Sequence, residues 1–406
     1  KTLVDKVSTS RIRWKTYLQF ASHFGKAGLS QDALDALDRA TPKGVIASQR
    51  GPELEATICH ILRGVMQSPG GYHDVGEISS RILRRGVQFT TRNYNMIIWN
   101  ACDAGDYATA LRILNTMKQR GPEPNIYTYR ILLHPRRADN RPVEVIQEGV
   151  NYAKAASSPE IASLVVQTSW QYMDNLSSSF GYHFTRLFNI YREFFDLRFL
   201  EKLEILNSGN ELQKLMPSRT VLCLMLMVYI RSKRNRNPEH IWHLYTNLKH
   251  LTKAGDPVIA PMVESHHVWA MFLHEFIRHP ETLNWCLTLL KDMLTPLPSS
   301  ATHHTAQRPI RIPPPAPIIW QLLISAFMRH RQPEAARKVL DMMISRNVEP
   351  EDAHWDSMLR GYAKAQDLDR VAETLRIVER GGFRVSTETT GMLSRIRQKE
   401  RLMTYL

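Results

Sequence analysis

Between Thr91 and Asn125 the apolar residues follow two helical registers separated by a turn. Tyr94, Ile97, Ile98 and Ala101 fall at i, i+3, i+4 and i+7, a spacing that puts them on one face of a helix. Gly105 follows, able to take the left-handed conformation that ends a helix. Asp106 stands where a side-chain oxygen can accept from the orphan amides of the next helix. There Tyr107, Ala110, Leu111, Leu114 and Met117 form a second stripe, with Arg112, Lys118 and Gln119 turned elsewhere, and Gly121 and Pro124 close it. The pattern predicts a helical hairpin. Its apolar stripes cannot be buried by one hairpin alone, so neighbours must stack on it.

Such neighbours are visible as a period of 35 residues. Tyr94 and Tyr129 repeat at that interval, as do Gly86 and Gly121, Trp320 and Trp355, Leu340 and Leu375, and Asn347 and Gly382. Ungapped windows fall at 56–90, 91–125, 317–351 and 352–386, the first with a Pro-Gly-Gly turn at Pro69 to Gly71. An earlier unit begins in 14–55, carrying KAGLSQDAL at Lys26 to Leu34, and 126–159 starts well before Pro135 breaks its first helix. From 160 to 294 the helical texture continues, with hairpins expected around 160–206, 217–251 and 260–294. The domain reading is an N-terminal array over 1–294, clearest at 56–90 and 91–125 and divergent over 160–294. A proline-rich linker follows at 295–316, then a C-terminal pair of repeats and a terminal helix over 317–406. That last helix would carry a basic face from Arg395, Arg397, Lys399 and Arg401. The fold class expected is all-α, a solenoid of antiparallel helical hairpins.

The stretch NYNMIIWNACDAGDYATALRILNTMKQRGPEPN resembles a pentatricopeptide repeat in its Tyr-Asn opening, Ala-Gly turn, Ala-Leu second helix and Met-Lys-x-x-Gly-x-x-Pro-Asn close. The likeness is sharp over about a quarter of the chain, recognisable over about half, and only helical in the middle. It implies a right-handed superhelix that binds single-stranded RNA, one base per repeat. It further implies that the residue after the opening aromatic and the last residue of the repeat read the base. Here these are Asn95 and Asn125, whose amides both donate and accept, a pair similar to pyrimidine-preferring combinations. Arg92 and Tyr127, the second residues of successive units, would sandwich that base, each face contributing about 1–3 kcal/mol. The family usually has an aliphatic residue there. Corresponding pairs elsewhere are His60 with Thr90, Gln321 with Glu351, and Asp356 with Ser386, none a familiar reading pair. Glu351 and Asp356 would set negative charge in the path of a nucleic acid.

Charge supports a polyanionic partner: 53 Lys and Arg, 37 of them Arg, stand against 39 acids, a net +14. Arg130, Arg136, Arg137 and Arg141 form one basic cluster after the best repeat. Arg231, Lys233, Arg234 and Arg236 form another, with Arg234 and Arg236 as weaker phosphate candidates. Phosphate contacts of this kind would give a log-log salt slope near −0.7 each. The longest apolar run, Val221 to Ile230, has ten residues, too few for a spanning helix. Cys59, Cys102, Cys223 and Cys286 form no C-x-x-C pair and fit buried thiols in a reducing compartment. No Walker loop, dinucleotide fingerprint, nucleophile elbow or H-E-x-x-H is present. His266, His267 and His274 lack a companion carboxylate. No catalytic residue, cofactor or metal is therefore expected.

The leading expectation is a non-enzymatic RNA-binding protein of the mitochondrial matrix, acting on mitochondrial mRNA or rRNA in maturation, stability or translation. A start at Lys1 is compatible with removal of a leader. The alternative is a structural or assembly protein whose solenoid grips a mitoribosome or a respiratory complex, and a merged reading has a ribosome-bound protein touching rRNA without reading sequence.

Overall fold

The computed structural model describes residues 13–41, 51–134, 142–174, 180–206, 214–233, 238–295 and 310–397. The helices run α1 (Trp14–Lys26), α2 (Ser30–Ala40), α3 (Gly51–Gly64), α4 (Val75–Leu83), α5 (Thr91–Asp103), α6 (Tyr107–Arg120), α7 (Ile126–Leu132), α8 (Val143–Ala156), α9 (Pro159–Asp174) and α10 (Phe180–Phe194). They continue with α11 (Arg198–Lys202), α12 (Arg219–Ser232), α13 (Pro238–Lys253), α14 (His266–Phe276), α15 (Leu283–Leu294), α16 (Pro317–Arg329), α17 (Pro333–Ser345), α18 (Asp352–Ala365), α19 (Leu368–Gly381) and α20 (Thr387–Leu393). Among the described residues the only extended pairing is an isolated bridge between Phe195 and Leu215. The protein is all-α.

Two compact units share the chain: Lys1–Ser178 with Asn189–Phe194, and Ser179–Phe188 with Phe195–Leu406. In the first, α1, α3, α5, α7 and α9 lie successively side by side, while α2 packs back on α1, α6 on α5, and α8 on α7 and α9. In the second, α12, α14, α16, α18 and α20 form the corresponding row, backed by α15, α17 and α19. Each unit is thus a stack of helical hairpins, as the stripes require. In α5 the expected face is buried (Tyr94, Ile97, Ile98, Ala101), and in α6 Tyr107, Ala110, Leu114 and Met117 meet it, with Leu111 only half-buried.

Several boundaries differ from expectation. The first helix of the 56–90 window starts at Gly51, ahead of the window, because Leu54 already packs into the core. Helix α7 stops at Leu132; Pro135 lies outside the described residues. The proline-rich segment does not divide the second unit, since α16 packs on α14 and α15 across it. Residues 296–309 lie outside the described residues. Past them, Arg311 donates its N–H to Glu264 Oε1 at 3.3 Å and Trp320 Nε1–H reaches Pro315 O at 3.2 Å. The terminal helix α20 ends at Leu393, so Arg395 and Arg397 follow it rather than furnish its face, and Lys399 and Arg401 lie outside the described residues.

Two features hold the first unit's row together. Helices α1 and α3 meet backbone to backbone: a Cβ on Gly64 would lie 1.5 Å from Gly25 O, and one on Gly25 would lie 2.8 Å from Ile61 N. Only glycine permits that approach. Next along, the fully buried Asn100 of α5 donates Nδ2–H to Leu62 O at 2.6 Å and accepts from Arg63 Nη1 at 3.0 Å. Arg63 also pairs with Asp103 at 2.5 Å and lies 5.1 Å from the Trp99 ring centre, bracing the outer edge of that contact.

The turns that follow α5, α16 and α18 share one geometry. Gly105 has φ +75, with Asp106 N–H bonded to Ala101 O and Gly105 N–H to Cys102 O. The same paired bonds close α16 at Arg331 (φ +59) and α18 at Gln366 (φ +58), where a side chain bears the left-handed strain. Relieving it should stabilise. Arg331→Gly is expected to raise the unfolding free energy by about 0.5–1 kcal/mol, the relieved strain outweighing the added chain entropy. Urea unfolding with an unchanged slope measures it, and a loss of stability would refute the account.

Candidate nucleic-acid interface

The repeat junctions are built by capping. The last residue of a repeat precedes the first helix of the next and joins the residue three further on. Thr90 Oγ1 accepts from Asn93 N at 3.4 Å while Thr90 N–H donates to Asn93 Oδ1 at 3.1 Å. Asn125 Oδ1 accepts from Thr128 N at 3.2 Å while Asn125 N–H donates to Thr128 Oγ1 at 3.1 Å. Ser386 Oγ accepts from Thr389 N at 3.2 Å, and Glu351 N–H donates to His354 Nδ1 at 3.0 Å. Such caps, reciprocal at Thr90, Asn125 and Glu351, satisfy amides that a helix start leaves orphaned.

The residue three along also reaches back one repeat. Asn93 Nδ2–H points to Cys59 Sγ at 3.3 Å, Thr128 Oγ1–H donates to Asn95 Oδ1 at 2.7 Å, and His354 Nε2 bonds Pro317 O at 3.1 Å. These cross-ties escaped sequence reasoning. The 35-residue period holds their signal, since Asn93, Thr128 and His354 all stand at the third place of their units, before Tyr94, Tyr129 and Trp355.

The structure brings Asn95 and Asn125 together, with Asn95 Nδ2 3.4 Å from Asn125 Oδ1. Their display is unequal. Asn125 is exposed, whereas Asn95 is only 5% exposed and stands behind it. Asn125 Oδ1 also receives Tyr127 N–H at 3.0 Å, so the carbonyl oxygens of both amides are engaged by the protein. Arg92 is exposed and Tyr127 is 61% exposed, an open aromatic face at the start of the next helix. Arg130 lies over that ring, 5.5 Å from its centre, and pairs with Glu160. It therefore buttresses Tyr127 instead of standing free for a phosphate. Arg136, Arg137 and Arg141, and likewise Arg234 and Arg236, lie outside the described residues.

The other pairs behave differently. His60 Nδ1 bonds Ser22 Oγ at 2.8 Å, whereas the Thr90 hydroxyl donates to Glu55 at 2.6 Å. Burial lowers the His60 pKa, aided by the neighbouring Lys26, Arg92 and His23, so the ring is neutral at pH 7. Lys26 of α1 and Arg92 of α5 thus place two cations beside the His60 ring of α3. Sequence spacing hid this because α1 and α3 are offset by 38 residues at Ser22 and His60. In the C-terminal pair Asp356 is closed off: Oδ1 accepts Ser386 N–H and Oδ2 accepts Ser386 Oγ–H, both at 3.0 Å, with Arg360 at 3.5 Å. Gln321 is half-buried and Glu351 exposed.

All four cysteines are free, Cys223 half-buried and the others buried. Burial raises the thiols of Cys59, Cys223 (to about 11) and Cys286 (to about 12), keeping them protonated at neutral pH. Among the described residues no His, Cys, Asp or Glu group is placed to hold a metal ion, and no helix is long and apolar enough to cross a membrane.

A family model described as the PPR repeat family matches residues 90–134, and one described as a pentatricopeptide repeat-containing protein matches 318–404. No curated protein matches the chain in sequence. Among solved structures it is similar to the maize pentatricopeptide repeat protein PPR10 in complex with an 18-nt psaJ RNA element, with a TM-score of 0.52 and 15% identity. A cysteine-to-serine variant of that complex gives the same values. In both cases 99% of this chain aligns and spans 56% of the other. At that identity the likeness is one of fold. With the period and the capped junctions, these matches identify residues 90–134 and 318–404 as pentatricopeptide repeats.

Proposed function

We propose that this protein binds single-stranded RNA along the first-helix row of its N-terminal unit, without catalysis, and acts in mitochondrial mRNA maturation, stability or translation. The observation that carries the proposal is the meeting of Asn95 and Asn125 at the two places where a repeat of this kind reads a base, 3.4 Å apart. Tyr127 offers a stacking face beside them and Arg92, Lys26 and the +14 net charge attract the backbone. The RNA held by PPR10 supports the same reading. The organelle rests on the habit of the family and on the reduced cysteines. A strand laid along the row would be kept unpaired, shielding it from nucleases or keeping a processing or initiation site open.

Asn95→Ala is expected to weaken binding to a pyrimidine-rich single strand about tenfold, the loss of one or two hydrogen bonds. Filter binding at low salt measures this. Unchanged affinity, with the thermal midpoint held, would sink the assignment of this repeat.

A second reading applies to the C-terminal pair. Asp356 and Ser386 satisfy each other and Glu351 adds negative charge, which favours a protein partner there, such as a mitoribosome or a respiratory complex under assembly. Native purification with mass spectrometry and RNA sequencing separates the readings. A stable protein complex with no enriched transcript would favour the scaffold.

A further inference from the structure

We infer that helices α12 and α14 carry a binding site for a soft monovalent cation of the Cu(I) class, with Cys223, Met227, His267 and Met271 as its ligands. The two helices are neighbours in the row of the second unit. Between them lies a cavity of about 150 Å³, lined by those four residues with Leu224 and Val268. Cys223 and Met227 stand one helical turn apart on α12, and His267 and Met271 one turn apart on α14, so each pair shares a face. Met227 and Met271 are only half-buried, unlike the fully buried Met225 of α12, and the exposed His267 leaves an entry from solvent. The thiol and the imidazole are also uncommitted. Among the described residues neither bonds to another side chain, whereas Cys59 receives Asn93 Nδ2–H and the His60, His330 and His354 rings are all hydrogen-bonded.

The donors select the ion. Among the described residues no site is built from His, Cys, Asp and Glu alone; here thioethers supply half the set. Thioether sulfur is neutral and polarisable and suits Cu(I), whereas Mg(II) and Ca(II) require oxygens, and no carboxylate lines this cavity. Charge points the same way. On binding, the Cys223 S–H bond breaks, its proton passes to solvent and a sulfur–copper bond forms, with no change of oxidation state. One thiolate then cancels one positive charge between apolar walls. Zn(II) would keep a net charge there that nothing offsets. The unbranched methionine chains, each with three rotatable bonds, let both thioethers adjust to an ion. In the sequence His267 stands without a companion carboxylate; its companions are sulfurs of another helix.

The test uses the full chain without oxygen, with Cu(I) supplied as the complex of a coloured chelator, bicinchoninate, that competes for the ion. The wild type should withdraw one equivalent. Cys223→Ser should abolish that uptake. Met227→Leu and Met271→Leu keep the side-chain volume and should each weaken binding about tenfold or more. Met225→Leu makes the same exchange on α12 away from the cavity and should bind as the wild type does. Zn(II) at equal concentration should not compete. If serine at 223 prevents folding, His267→Gln, at an exposed position, should weaken uptake about tenfold or more. A wild type that withdraws no Cu(I), a folded Cys223→Ser or His267→Gln that binds as tightly, or a Met225→Leu as weak as Met227→Leu overturns the site. Competition by Zn(II) overturns its assignment to a soft monovalent ion. The site is independent of the RNA reading, and none of these outcomes alters that reading.

Discussion

Gly64→Ala is expected to lower the stability of the N-terminal unit by about 3 kcal/mol or more, at the upper end of what overpacking costs. The added methyl would sit 1.5 Å from Gly25 O and 2.6 Å from Gly25 C, both backbone atoms of α1. No rotamer change can relieve such an overlap. The two helices must part, and with them the contacts that bury Leu18, Ala21, Ile58 and Ile61. Gly76→Ala in α4 is the matched control, because a Cβ there meets nothing within 4 Å and a helical alanine is preferred by about 1 kcal/mol. Hydrogen exchange on the full chain should show protection lost in α1 and α3 for the first variant and kept for the second. Equal protection in both would mean that α1 and α3 do not meet at these glycines.

The other large effect falls in the second unit. Trp320 is fully buried and donates Nε1–H to Pro315 O, tying the segment before α16 to the helix it opens. Trp320→Ala should cost about 3–5 kcal/mol, the sum of lost apolar burial and an unfilled cavity. Trp320→Phe keeps most of the ring and loses the bond, so it should cost roughly half as much or less. A denaturant titration of the three proteins gives the order. If alanine and phenylalanine prove equally costly, the Pro315 bond rather than ring volume dominates the site.

The hairpins were legible because their stripes are dense and their turns carry glycine: Tyr94 to Ala101 and Gly105 were readable as they stand. Turn geometry was less so at Arg331 and Gln366, where no glycine marks the left-handed residue and only the 35-residue register points to it. The starts of α3 and the reach of α16 across the proline-rich segment depend on burial against distant helices, which spacing does not encode. At the interface, the pairing of Asn95 with Asn125 was foreseen from the repeat, but the unequal exposure of the two amides was not. It follows from their places, Asn95 inside α5 and Asn125 ahead of α7, and the Thr128 hydroxyl that meets Asn95 reads as ordinary helix-start chemistry until its acceptor is seen. Arg130 looked like a free cation in a basic run, and Glu160, thirty residues on, takes its charge.

The caps at the junctions also limit what each repeat can say. Asn125 and Ser386 cap a helix with their side-chain oxygens, and helix starts accept few alternatives beyond Asn, Asp, Ser and Thr, Glu351 being one. The closing letter of a repeat is therefore drawn from a short alphabet, and rewriting it taxes the hinge between neighbours. Asn95, inside a helix, has no cap to keep and answers only to its bonds with Thr128 and Asn125. New recognition can evolve there first, with the junction following only where the helix start survives the change.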